Sequence, residues 1–215
     1  MNDPAALVRS TVALAKAPCL TCSFQAEDVV VLHMLRQIRP GVPLLFLDTF
    51  HHFAETYVYR DRLATQWNHT LVTLRAERPV AGLWQTSTNE CRALHKVAPL
   101  FQCARSPRYV VHRVAARAVA EPSGFAGGGG VQGALGEAGG KSQPACGLDD
   151  RAGAGVRAAA RAALLPLYNA GYASIGCEPC IRLPTDPANP RSGRRRGEEL
   201  ECGIHLQPAP ELPAV

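Results

Sequence analysis

The sequence predicts an α/β fold in which a parallel sheet is covered by helices. Three observations carry that reading. Residues 19–75 alternate short apolar runs with helix-like segments in the order β-α-β-α-β. Two of the apolar runs break into small and polar residues, SFQAED and DT, at strand ends where α/β sheets hold their ligands. Turn signals such as RPGVP separate helix from strand.

Each element follows from its local pattern. Residues 5–16 have helical composition. The run APCLTC is apolar enough for a short strand, and SFQAED ends it. VVVLHMLRQI is apolar at helical spacing and stops at RPGVP. LLFLDT is a buried-strand signal ending in Asp48 and Thr49. FAETYVYRDRLATQW follows as a helix and HTLVTLRAE as a further strand. Residues 102–163 break the pattern: Ala, Gly and Arg dominate, and Gly127 to Gly130 form a four-glycine run that no packed element accommodates. Ordinary signals resume at LLPLYNAGY.

A chain of 215 residues suits one domain with a real core. It has no apolar run long enough for a membrane span, and MNDPAALVRS lacks a secretory pattern, so a cytoplasmic protein is expected. There the eight cysteines are expected to be reduced, metal-bound or catalytic rather than disulfide-paired. The formal charge is +5, but residues 102–163 hold eight Lys/Arg against four Asp/Glu and so carry +4 of it. A nucleic-acid role therefore stands or falls with that tract.

Several side chains are candidates for chemistry, each with an ordinary alternative. Ser23, Gln25 and the backbone from Ala26 to Asp28 precede a helix, where N–H groups suit a phosphate or sulfate; the plainer alternative is Ser23 as a helix N-cap. Asp48 and Thr49 end a strand, with His52, Glu55 and Thr56 a turn later; Asp48 could bond a ribose, orient a loop or cap a helix. GCEPC gives Cys177 and Cys180 metal-ligand spacing, and Cys91 is a natural remote contributor to a zinc or iron–sulfur site. Cys19 and Cys22 share that spacing but lie on an apolar strand end, where buried structural thiols are the better expectation. Cys202 in LECGIH lies near His205 and downstream of Arg194, Arg195 and Arg196, and nearby positive charge favours a nucleophilic thiolate. On spacing alone it is an ordinary tail cysteine.

Taken in order, SFQAEDVVVLH, LFLDTFHHFAETY, CRALHKVAPLF, GYASIGCEPC, NPRSGR and LECGIH resemble the assimilatory sulfonucleotide reductases, which act on adenylyl sulfate or phosphoadenylyl sulfate. The resemblance covers residues 19–101 and 164–207. It implies a three-layer, Rossmann-like parallel sheet of the adenine-nucleotide α-hydrolase type, with a disrupted or disordered central segment here. The single domain would comprise a nucleotide-binding half (1–101), the aberrant tract (102–163) and a cysteine-motif and catalytic segment (164–215). By the same resemblance, Cys202 would attack the sulfonate sulfur, and thioredoxin or a glutaredoxin-like dithiol would release sulfite. Ser23, Gln25, Glu27, Asp28, Asp48, Thr49, Lys96, Arg194 and His205 would lie around the substrate. GCEPC points to the adenylyl-sulfate branch, whose members bind a [4Fe–4S] cluster, with Cys91, Cys177 and Cys180 as ligands. Self-association into a homo-oligomer is left open; neither nucleic acid nor membrane is expected as a partner.

The sequence departs from the family pattern in three places. Arg92 stands where the family has a second adjacent cysteine, so one cluster ligand is missing. Arg195 stands where a Trp is expected. At residues 109–123 the family has a segment such as TWFTGLRREQSPSRA, whose arginines bind substrate, and this chain has YVVHRVAARAVAEPS. One permitted set of codons for those residues, read one base later, spells TWFTGLRREQSPSRA. The same shift turns residues 140–150 into AKVSPLAGWTT, and the family has KVSPLAxWT there. Residues from about 103 to 163 therefore fit an out-of-frame translation of a reductase gene better than a genuine Gly/Ala-rich insert. Such a tract buries little apolar surface and loses much entropy on ordering, so poor packing, an exposed sheet edge and impaired activity are expected.

Two other readings compete. An ATP pyrophosphatase-like relative would carry an SGGxDS-type loop, which SFQAED is not. A non-enzymatic basic nucleic-acid or interaction protein would bind through the Arg-rich tract in a salt-dependent way.

Overall fold

The computed structural model describes residues 4–15, 17–105, 164–186, 189 and 191–194. The predicted β-α-β-α-β order is present. Helix α1 (Pro4–Leu14) leads into β1 (Leu20–Thr21), α2 (Ala26–Ile38), β2 (Leu44–Leu47), α3 (Ala54–Gln66) and β3 (Leu71–Leu74). The strands are parallel in the order β1-β2-β3, with Leu20 opposite Leu44 and Leu44 opposite Leu71. Residues of α2 (Leu32, Leu35) and α3 (Tyr59, Leu63) share one cluster with Leu44 and Phe46, so both helices cover the same face of the sheet, as the general right-handedness of such crossovers requires.

Strand alternation divides the core. Leu44 and Phe46 pack with Leu20, Leu32, Leu35, Tyr59 and Leu63 in the larger cluster. Leu45 points the other way and meets Cys19, Cys103, Val72 and Leu74. Cys103 comes from a second helical stretch, α4 (Leu83–Thr86), α5 (Thr88–Arg92), a π-turn at Ala93–Val97 and α6 (Ala98–Arg105).

Odd spacing along an extended strand explains Cys19 and Cys22. The first joins the smaller cluster and the second the larger, so the CxxC thiols fall on opposite faces and cannot share a ligand. Both are buried, at 3% exposure each. Burial, reinforced by Cys103, pushes the Cys19 thiol up to about 12; burial also pushes Cys22 well up. These are structural thiols, as the sequence suggested.

The described residues between 164 and 194 return to the first half. Leu165, Leu167, Ile175 and Ile181 enter the larger core cluster. Gly193 is required where this segment doubles back, because a Cβ there would collide with the Arg182 carbonyl oxygen. The first residues of the central tract, 102–105, do not break the pattern as expected: they complete α6, and Cys103 is buried in the smaller cluster. The rest of the tract, with the out-of-frame reading and its expected disorder, falls on residues 106–163, which lie outside the described residues. So do Arg195, Arg196, Cys202 and His205. Among the described residues no helix is long and apolar enough to cross a membrane.

Candidate active site at the carboxyl edge of the sheet

The loops after β1 and β2 and the residues 174–181 meet at the carboxyl edge of the sheet. After β1, Ser23 does not cap α2 as the ordinary alternative had it; the N-cap is Gln25, with no side-chain capping bond. Instead the Ser23 N–H and hydroxyl both donate to Asp28 Oδ2, at 2.6 and 2.5 Å. Burial pushes the Asp28 carboxyl up to about 6 against those two bonds. Gln25 bridges: its Nε2 donates to the Ser23 hydroxyl at 3.0 Å, and its Oε1 accepts from the Ile175 N–H at 3.3 Å. The Ala26 N–H, one of the expected anion donors, is taken by the Tyr168 hydroxyl at 2.9 Å. Glu27 is exposed beside it.

After β2, Asp48 is 1% exposed and fully engaged. Its Oδ1 accepts from the Phe50 N–H at 2.9 Å and the Tyr57 hydroxyl at 2.7 Å. Its Oδ2 receives Arg75 Nε at 2.9 Å and Nη2 at 2.8 Å. Burial alone would raise this carboxyl, but the Tyr57, Phe50 and Arg75 donors outweigh it and hold it below the usual carboxylate range. Asp48 thus caps no helix, since Phe53 is the N-cap of α3. It pins the loop and Arg75.

Thr49 links this loop to GCEPC. Its Oγ1 accepts from the His51 N–H at 3.3 Å and lies 3.1 Å from Cys177 Sγ, so the hydroxyl hydrogen can point at sulfur. The Glu178 N–H donates to the His51 carbonyl at 2.7 Å, and His52 pairs with Cys177 in an antiparallel bridge. Burial pushes His52 down to about 4, with Lys96 and Arg60 acting the same way against the Leu47 carbonyl and Asp48. The neutral ring then donates Nε2–H to the Leu47 carbonyl at 2.9 Å. Lys96 is thereby placed in electrostatic reach of the loop.

The π-turn brings the third thiol near. His95, 1% exposed, holds Nδ1 3.0 Å from the Cys91 carbonyl and 3.5 Å from Cys91 Sγ, while Nε2 accepts from the Val80 N–H at 3.4 Å. Its ring lies 5.7 Å from that of His51. π-Turns inside α-helices recur at functional sites. Arg194 Nε donates to the Ser174 hydroxyl at 2.6 Å and Nη2 to the Ile175 carbonyl at 3.2 Å, so it braces the loop beside Gln25.

Ser23, Gln25, Asp28, Asp48, Thr49, Cys177 and Arg194 therefore share one edge, with Lys96 and Cys91 close by through His52 and His95. The residues present do not fit a four-thiolate cluster. Cys91, Cys177 and Cys180 are half-buried, but no three His, Cys, Asp or Glu among the described residues converge as metal ligands. The position beside Cys91 holds Arg92, whose Nη2 donates to Asn89 Oδ1 at 2.6 Å. Sequence reasoning missed Arg75, Tyr57, His51, His95 and Tyr168. Only the His-rich loop and the Tyr of LPLYNAGY offered a local signal.

The sequence profile described as the phosphoadenosine phosphosulfate reductase domain matches residues 17–123. The chain is 35% identical to an adenosine 5'-phosphosulfate reductase of Rhodococcus opacus over 193 residues, 83% of this chain and 75% of that relative. It is 34% identical to the Mycolicibacterium smegmatis protein of the same name, over 84% of this chain and 79% of that one. The phosphoadenylyl-sulfate reductase of Candida auris, solved as a phosphate complex, shares the fold at TM-score 0.62 and 22% identity, covering 82% of this chain and 89% of that one.

Proposed function

This chain belongs to the family of adenosine 5'-phosphosulfate and phosphoadenosine phosphosulfate reductases, and from that premise we propose that it reduces adenylyl sulfate, or its phosphorylated form, to sulfite in sulfate assimilation. The observation that supports this most is the meeting of three distant motifs: Gln25 with Ile175, and Thr49 with Cys177. A nucleotide would lie across the strand ends, with Ser23, Gln25, Glu27, Asp28 and Thr49 around it. Asp48 acts by fixing Arg75 and the loop. Lys96 and Arg194 supply positive charge beside the sulfonate, with His205 in the same role.

Cys202 is the proposed nucleophile. Its thiolate attacks the sulfonate sulfur; an S–S bond forms, the sulfur–oxygen bond to phosphate breaks, and AMP leaves with that electron pair. A thioredoxin or glutaredoxin-like dithiol then attacks the Cys202 sulfur. Sulfite departs with two electrons, and the dithiol ends as a disulfide. One domain, with a nucleotide half over 1–101 and a catalytic end over 164–215, carries the reaction.

The tract at about 103–163 lacks the arginine-bearing segment that the resemblance calls for, so turnover by the chain as it stands is expected to be impaired. Mass spectrometry after incubation with adenylyl sulfate tests the chemistry. A version with the tract returned to the reductase frame should gain one sulfonate on Cys202, and its Cys202→Ser variant none. Modification elsewhere, or none in either, would overturn the assignment.

A further inference from the structure

Two phenylalanines adopt left-handed backbone, and they differ in a telling way. Phe24 and Phe50 each lie three residues past the end of a strand, at φ of 60° and 64°. A bulky L-residue is strained there. For Phe24 the fold recovers the strain by burial: it is 0% exposed, with rings of Phe46 at 5.9 Å and Tyr59 at 6.4 Å. Phe50 is 45% exposed. It is held in that conformation by the Asp48 Oδ1 bond to its N–H, not by core packing. The guanidinium of Arg75 lies over its ring at 5.4 Å from the centroid, and the His95 ring meets it edge-on at 6.5 Å. Arg75 is itself fixed by the buried Asp48.

An aromatic plane thus stands open at the carboxyl edge of the central strand, against Arg75 and His95, at a conformational cost that burial does not offset. Strain of this kind gathers at ligand sites. We propose that Phe50, braced by Arg75, is the stacking platform for the adenine base of the substrate. The proposal deepens the function above and rests on it. An aromatic face suits any purine, and the ring is preorganised, so little freedom is lost on binding.

Calorimetry on the full chain with AMP and with ribose 5-phosphate tests it. The parent is expected to bind AMP more tightly than ribose 5-phosphate. Phe50→Ala should weaken AMP by about tenfold and leave ribose 5-phosphate unchanged. Phe50→Leu, which keeps apolar bulk without the plane, should weaken AMP similarly, and Phe50→Tyr should stay within about twofold of the parent. Far-ultraviolet dichroism confirms that each variant is folded. Equal AMP affinity in Phe50→Ala and the parent would overturn the platform while leaving the nucleotide site standing. Equal affinity of the parent for the two probes would do the same. Binding of neither probe by the parent would overturn the nucleotide reading and this inference together.

Discussion

Arg75 places two guanidinium nitrogens, Nε at 2.9 Å and Nη2 at 2.8 Å, on one oxygen of the buried Asp48 carboxylate. The other oxygen takes the Tyr57 hydroxyl and the Phe50 N–H. One carboxylate thereby ties the end of β2 to the end of β3 and to α3. Removing it takes the acceptor away from the Tyr57 hydroxyl, the Phe50 N–H and the Arg75 guanidinium. Asp48→Ala should cost about 3 kcal/mol of stability, with Asp48→Asn losing less because an oxygen remains to accept. Urea denaturation measures both; an Asp48→Ala loss below about 1 kcal/mol would show that the loop does not depend on this carboxylate.

Phe50 trades stability for an open ring. Phe50→Gly removes the left-handed strain and gives up little buried area, so the variant should be more stable by about 1 kcal/mol. Phe24→Gly, by contrast, should be strongly destabilised through its buried contacts, by about 3 kcal/mol or more. Thermal or urea melts of the pair check the contrast, and a stability loss in both would contradict it.

Two half-buried titratable groups oppose one another in acid. Asp28, raised to about 6, favours the folded state when protonated; its contribution is complete below about pH 4 and is lost as pH rises through about 6. His52, lowered to about 4, contributes above about pH 6.5 and loses that contribution as pH falls through about 4. Asp28→Asn removes the first effect and keeps an acceptor for Ser23. It should melt above the parent near neutral pH, with the gap closing toward about pH 4. A gap that does not change with pH would contradict this reading of Asp28.

Arg92 decides the fate of the cluster. Anaerobic reconstitution of the chain should leave iron and labile sulfide well short of about four each, since an arginine cannot ligate iron. Arg92→Cys should raise both. A full complement in the parent would contradict the misfit of the donor set.

The alternation of strand and helix over residues 19–75 was legible because Leu44–Leu47 is a continuous apolar run and α2 is apolar at helical spacing. The plainer alternative for Ser23, a helix N-cap, fails because its partner, Asp28, lies five residues on, outside the capping-box spacing. Of the three readings of Asp48 (ribose ligand, loop orienter, helix cap) the structure bears out the loop orienter, but nothing local announces Arg75, which is 27 residues away. The bond from Gln25 to Ile175 spans 150 residues, and no periodic pattern encodes such a pairing. The positive φ of Phe50 was hidden for a simpler reason: Gly or Asn signals that conformation, and Phe does not.

The central claim is that a reductase active site survives around a tract spelled out of step. The direct measurement is sulfite release from adenylyl sulfate with reduced thioredoxin, for the chain as it stands and for a version whose residues 103–163 are returned to the reductase frame. The second should release sulfite robustly and the first at a rate at least about a hundredfold lower, as loss of transition-state-stabilising groups implies. Equal release by both would contradict it.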